Sequence, residues 1–368
     1  LPQRIVALAQ PASYAEAHAR YLGTRFFGSL DGLRAISILA VVWHHTAAAA
    51  FTNALGHQGR HGVTLFFVIS GFLIATLILR AKEAGKFSLR SFWGRRVLRI
   101  FPIYFAALGL YVGLTWLLER DTIYGREFFA NLPAFATFTA NWVVPLESER
   151  VIFYFAWSLA AEEQFYLVWP FLALLLAGMR PALLALLVLI VSQYLALEHA
   201  AVLGKDFPGR LAIVLPPGIL LGVILAYLLH APAGFFATWR LAGHRWSMPA
   251  AAAVSLIVLA FGQTFGLAEG LAVALSLTWL VAACVLREDH SGASWLRLAP
   301  VVWIGKVSFG MYLLHMLAVN VARKVLPVAG IESPIADFVA GSVIALAAAS
   351  VAFIWYERPF LRLKDRMF

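Results

Sequence analysis

Apolar runs of about 16 to 22 residues recur along the whole chain, each long enough to cross a bilayer at roughly 1.5 Å of helical rise per residue. They fall near residues 35–52, 62–80, 103–118, 163–178, 182–197, 211–229, 249–265, 268–286, 303–322 and 335–356. In hydrocarbon a backbone must satisfy its own hydrogen bonds, and within a single segment only a helix does so. The pattern therefore predicts an all-α polytopic membrane protein of about ten transmembrane helices. Only 13% of the residues are charged, against roughly 25% in a soluble domain. The net charge of +10 would suggest nucleic acid in a soluble protein. Here, with the N-terminus inside, roughly three quarters of the lysines and arginines fall on the inner side, so the charge reads as topology. Both termini are expected in the cytoplasm, in a multi-pass protein of the plasma (inner) membrane, with the lipid bilayer and no nucleic acid as a partner.

Residues 1–29 read as an N-terminal cytoplasmic extension without a signal-peptide pattern, 30–360 as the membrane domain and 361–368 as a short cytoplasmic tail. The longest outer segment, 119–162, mixes acids, aromatics and prolines and is expected to cap the outer mouth or partly re-enter. The single cysteine, Cys284, has no partner for an intramolecular disulfide.

Ionisable and polar groups inside spans are rare and default to functional candidates, with helix packing as the competing explanation. In LDGLRAISILAVVWHHT, Arg34 precedes His45 by eleven residues, about 1100° of turn, which puts both on one stripe about 16 Å apart along the axis. His44 falls about 80° off that stripe and reads as a neighbour in packing. A neutral imidazole can act as a general base, and an arginine forks onto phosphate. In GVTLFFVISGFLI, Ser70 and Gly71 either bring two helices close or leave room for a substrate tunnel. FWGRRVLRIFPIY places Arg95, Arg96 and Arg99 at the inner face, as topogenic charges or a polyphosphate cradle, with Pro102 marking a break before the third span. WSLAAEEQFYLVWP carries Glu162 and Glu163 where the fourth apolar run begins, beside Tyr166, able to orient an imidazole or bind sugar hydroxyls. In SFGMYLLH, Ser308, Tyr312 and His315 share one face, at a depth that lets His315 meet His45 in one cavity or simply bond to Tyr312.

Taken with the terminal YERP, these stretches in this order resemble the membrane-integral acyltransferase 3 family, of the O-acetyltransferase type, from Leu30 to Pro359. The resemblance implies transfer of an acyl group, usually acetyl, from cytoplasmic acetyl-CoA as co-substrate to a hydroxyl of a saccharide or glycan acceptor, with no metal. It also implies that His45, the histidine following Arg34 after ten intervening residues, is catalytic, with Glu162 and its companion Glu163. Arg34, Arg95, Arg96 and Arg99 are then expected to hold the CoA phosphates, and Ser70, Gly71, Tyr166, Tyr312 and His315 to line the substrate cavity. His45 would deprotonate the acceptor hydroxyl for attack on the thioester, with Glu162 orienting the imidazole; a covalent acyl-histidine is the variant. Tyr124, Phe128, Phe129, Trp142, Phe153 and Tyr154 in the outer segment are candidates to stack on sugar rings or to form an interfacial belt. The rival reading is a transporter or flippase for a lipid-linked saccharide, but two matching halves with interrupted helices are not evident.

Overall fold

The computed structural model describes residues 13–46, 54–145, 150–198 and 214–368. The first part of the N-terminal extension (1–12), the outer end of the first apolar run (47–52) and the start of the sixth (211–213) lie outside the described residues. Among the described residues every regular element is helical. In chain order the helices used below are α1 (Tyr14–Gly23), α2 (Gly28–Thr46), α3 (Gly62–Glu83), α4 (Leu89–Leu118), α5 (Ile123–Ala136), α6 (Ala140–Val143), α7 (Ala156–Leu175), α8 (Arg180–Glu198), α9 (Pro217–His230), α10 (Pro232–Ala242), α11 (Ser247–Phe261), α12 (Glu269–Leu286), α13 (Ala293–Leu296), α14 (Ala299–Val325), α15 (Pro334–Ala352) and α16 (Arg358–Met367).

Each of the ten apolar runs coincides with a helix, yet fewer than ten of these helices meet the requirement for a span. Among the described residues five are long and apolar enough alone, and up to seven if the bent pairs α1–α2 and α9–α10 each count as one. The shorter apolar helices Arg180–Leu195 and Ser247–Phe261 fall below that length. The α9–α10 pair bends by 110° at Pro232. Proline has no N–H to continue the preceding helix and is well placed at the first turn of the next.

At Pro102 the structure departs from the sequence expectation. The arginine-rich stretch is no loop, because α4 runs unbroken for 30 residues from its Ser88 cap, whose hydroxyl accepts the Ser91 N–H, through Pro102. Arg95, Arg96 and Arg99 are therefore held on the first turns of a rigid helix.

The chain divides into two compact units. The first comprises Leu1–His44, Ala48–Leu79 and Gly218–Ser308; the second comprises His45–Ala47, Arg80–Pro217 and Phe309–Phe368. In the first, α3 and α9 meet backbone to backbone. A Cβ on Gly71 would stand 2.1 Å from the Ile219 carbonyl oxygen, and one on Gly222 2.3 Å from that of Val68. The room expected for a tunnel at Gly71 is thus filled by the neighbouring helix, and Ser70 beside it is buried. Helix α1, within the extension, packs on the same unit: His18 Nε2 lies 3.2 Å from the Leu229 carbonyl oxygen, and Tyr14 meets Phe236 edge-on.

A polar knot closes the α12–α13 connection over the start of α2. The His290 Nε2 is 2.8 Å from the Ser29 hydroxyl, to which Arg297 also donates at 3.3 Å, and Arg297 pairs with Glu288. Burial pushes the His290 imidazole down to about 4 and the Glu288 carboxyl upward. Folded His290 stays neutral where an unfolded one takes up a proton, near pH 6.5. Its contribution to stability is therefore complete above about pH 6.5 and is lost as the pH falls toward 4. The unfolding midpoint of the solubilised protein should drop between about pH 7 and pH 5, and less steeply in His290→Gln.

The second unit has an aromatic core. Tyr104, Phe135, Phe153 and Phe155 are buried, and the Tyr104 hydroxyl donates to the Phe135 carbonyl at 2.7 Å. This core takes in part of the outer segment, so Phe128 and Phe153 are packed inside rather than presented to a sugar. Two tethers fold that segment down. Arg150 makes a two-pronged pair with Glu119 at 2.7 and 2.8 Å, which raises its affinity for its proton. The Gln164 side chain on α7 binds Asn141, Trp142 and the Phe138 carbonyl.

Candidate active site

Helix α2 is continuous from Gly28 to Thr46, so the eleven-residue step from Arg34 to His45 is taken along one helix. In the first unit, Arg34 pairs with Asp31 one turn away at 3.4 Å, a partner that the LDGLR motif contains but the spacing argument passed over. His44 is also in this unit. Its Cβ would be 3.0 Å from a Cβ on Gly59, and it lies within electrostatic reach of Arg60 and His57. His44 thus packs against the 3-10 segment Ala54–His61.

His45 belongs to the second unit, where among the described residues it meets His315 and Tyr154. Its ring stands 5.2 Å from that of His315, centroid to centroid, and 5.6 Å from that of Tyr154, edge-on. Its Nε2 is 2.7 Å from the Tyr154 hydroxyl. Arg323 on α14 donates to the His45 carbonyl at 2.7 Å, placing a cation on the last turn of α2, where the helix dipole favours one.

His315 is fully buried on α14, and its Nδ1 lies 2.6 Å from the Tyr312 carbonyl oxygen. A carbonyl only accepts, so Nδ1 carries the proton and the lone pair is on Nε2. That Nε2 is buried with no hydrogen-bond partner among the described residues. A buried acceptor left unmet costs about 1–3 kcal/mol, so this nitrogen has a use for a donor brought by another molecule. The Tyr312 hydroxyl is 2.6 Å from that of Ser158 on α7, and Tyr312 lies within electrostatic reach of Tyr154 and Glu162.

The carboxylates sit deeper than the start of the apolar run suggested, because α7 begins at Ala156 and carries Glu162 and Glu163 about two turns in. Tyr166 donates to the Glu162 carboxylate one turn along the same helix. Glu163 lies within electrostatic reach of Glu162 and Arg96. Arg96 is turned inward, its guanidinium 5.0 Å from the Tyr166 ring centroid, while Arg95 and Arg99 are exposed. The three arginines therefore split between two directions instead of forming one cradle. Arg95 also donates to the Phe368 carbonyl, and Arg99 is within electrostatic reach of Glu357.

A polar chain thus runs through the second unit from Arg96 through the α7 carboxylates, Tyr166, Tyr312 and Ser158 to the two imidazoles. The arrangement offers a base, a second imidazole with a free lone pair on Nε2 and the Glu162 carboxyl within electrostatic reach of Tyr312, which suits activation of a hydroxyl. Residues 27–354 match the acyltransferase 3 family, described as an acyltransferase domain.

The chain belongs to the acyltransferase 3 family. Distant relatives agree with this membership. A protein of Staphylococcus aureus (strain COL) with a provisional O-acetyltransferase name is 27% identical over 376 residues, covering 93% of this chain and 58% of that protein. The peptidoglycan O-acetyltransferase OatA of Listeria monocytogenes is 28% identical over 331 residues, covering 83% of this chain and 51% of its own length. YrhL of Bacillus subtilis, provisionally named a peptidoglycan O-acetyltransferase, is 25% identical over 384 residues, covering 91% and 55%. The chain spans a little over half the length of these relatives. No solved structure matches it.

Within this acyltransferase 3 chain, sequence reasoning missed three side chains. Tyr154 reads from the sequence as one of the outer aromatics, and nothing in the local spacing singles out Gln164 or the Glu357 of YERP. Glu357 ends a π-helical turn, Phe353–Glu357, a departure from α-helix that is frequent at functional sites.

Proposed function

We propose that this membrane acyltransferase moves an acyl group, acetyl in the first instance, from cytoplasmic acyl-CoA to a hydroxyl of a saccharide or glycan acceptor, with His45 as general base. The observation that carries the reading is the His45–His315 pair: two imidazoles 5.2 Å apart, one with a buried, unmet Nε2, on helices that belong to an integral membrane protein. The names of the relatives support the acyl group and the class of acceptor, and the inner-side bias of lysine and arginine supports cytoplasmic termini in the plasma membrane.

In this reading Arg95 and Arg99, exposed on α4, receive the CoA phosphates. The pantetheine arm then extends toward His45, and Arg96 holds Tyr166 and the α7 carboxylates in place. Glu162, with Glu163 as its neighbour on α7, stabilises the imidazolium that forms when the base takes a proton. His315 and Tyr312 line the acceptor cavity.

The test is thioester turnover by the purified protein in lipid nanodiscs, with acetyl-CoA as the probe and release of CoA thiol as the readout. Wild type should release thiol. Replacing both Arg95 and Arg99 by alanine should raise KM for acetyl-CoA at least tenfold with little change in kcat, because a charge-assisted hydrogen bond is worth about 1.5–3 kcal/mol. A protein that neither binds nor cleaves acetyl-CoA would contradict the proposal.

A further inference from the structure

We propose that Tyr154 is a catalytic residue that relays the proton between the acceptor hydroxyl and His45; the inference rests on the acyl-transfer reading above. The Tyr154 hydroxyl lies on His45 Nε2 at 2.7 Å, the place a substrate hydroxyl would need in order to give its proton directly to that nitrogen. The ring meets the imidazole edge-on, so the hydroxyl, not the ring face, makes the approach.

The chain leading to Tyr154 is built to hold it there. Phe153 adopts φ +64°, a left-handed conformation that is an outlier for a bulky side chain. Phe153 and Phe155 are both buried, anchored against each other at 4.8 Å between ring centroids, while Tyr154 between them stays half-buried and reachable. Strained backbone that persists in a well-packed setting is a mark of functional positions.

The acceptor O–H gives its proton to the phenol oxygen of Tyr154 while the phenol's own proton passes to His45 Nε2. The acceptor oxygen forms a bond to the thioester carbonyl carbon. The C–S bond then breaks, and the sulfur leaves with the electron pair as the thiolate of CoA. The proton on His45 returns through Tyr154 to that thiolate, leaving an ester, CoA thiol and both side chains as they began.

The experiment measures ester-linked acetyl on envelope saccharides in cells lacking the native gene and supplied with wild type, Tyr154→Phe, His45→Ala or the double variant. Acetyl-CoA binding and membrane abundance are measured on the same proteins. The relay predicts that Tyr154→Phe, which keeps the ring, loses about 10- to 100-fold in transfer with binding unchanged. It also predicts that the double variant is no worse than His45→Ala alone, because both act on one path. Transfer by Tyr154→Phe within twofold of wild type, or losses that multiply in the double variant, would overturn it. Should Tyr154→Phe not accumulate, thiol release by wild type in mixtures of light and heavy water decides. A bowed dependence means two protons in flight, and a linear one excludes the relay. Wild type that adds no acetyl to any saccharide would instead overturn the acyl-transfer reading, and the relay with it.

Discussion

Replacing His45 by alanine is expected to lower acyl transfer by about 10²- to 10⁴-fold, the usual worth of a positioned general base. The same change at His44 should leave most of the activity. The two neighbours differ because successive helical residues point about 100° apart. His44 is turned onto the segment carrying Gly59 and Arg60, whereas His45 is turned onto Tyr154 and His315. His44→Ala removes packing, so its effect should appear in thermal stability more than in kcat. Binding of acetyl-CoA should survive both changes.

A large effect on folding is expected at Gly71. Substitution by valine would set a Cβ 2.1 Å from the Ile219 carbonyl oxygen and 3.0 Å from its carbon, against backbone that no side-chain rotation can move. The helices must part, and overpacking of this kind costs about 1–3 kcal/mol or more. The unfolding midpoint in detergent should fall by several degrees or the protein should fail to accumulate. Gly109 and Gly113 on α4, where a Cβ would meet nothing within 4 Å, are the controls. Alanine at either should be neutral or stabilising, since glycine inside a helix costs about 0.5–1 kcal/mol. A Gly71→Val protein as stable as wild type would refute the close contact.

What could be read from the sequence was what depends on local periodicity. The apolar runs located the helices because hydrocarbon leaves the backbone no other choice. The phase of α2 separated His45 from His44 for the same reason, and the step of three between Tyr312 and His315 put both on one face of α14. Features that arise from contacts distant in sequence were out of reach. The hydrogen bond from Tyr154 to His45 joins residues 109 apart, and the aromatic core that buries Phe128 and Phe153 is assembled from several helices. Glu162 sits deeper than the sequence suggests because hydropathy marks where a run turns apolar, while α7 begins seven residues earlier, at Ala156, just after the buried turn at Phe153. Pro102 misled for a different reason. A proline three turns into a helix was read as a boundary, but α4 continues through it.

Base-released acetate from envelope glycans reports whether the His45–His315 site places an acyl group on a surface saccharide. The comparison is between cells lacking the gene, the same cells with wild type, and the same cells with His45→Ala at equal membrane abundance. Wild type should restore ester-linked acetate, and His45→Ala should leave it at the level of the cells without the gene. Equal acetate in the wild-type and His45→Ala strains would contradict it.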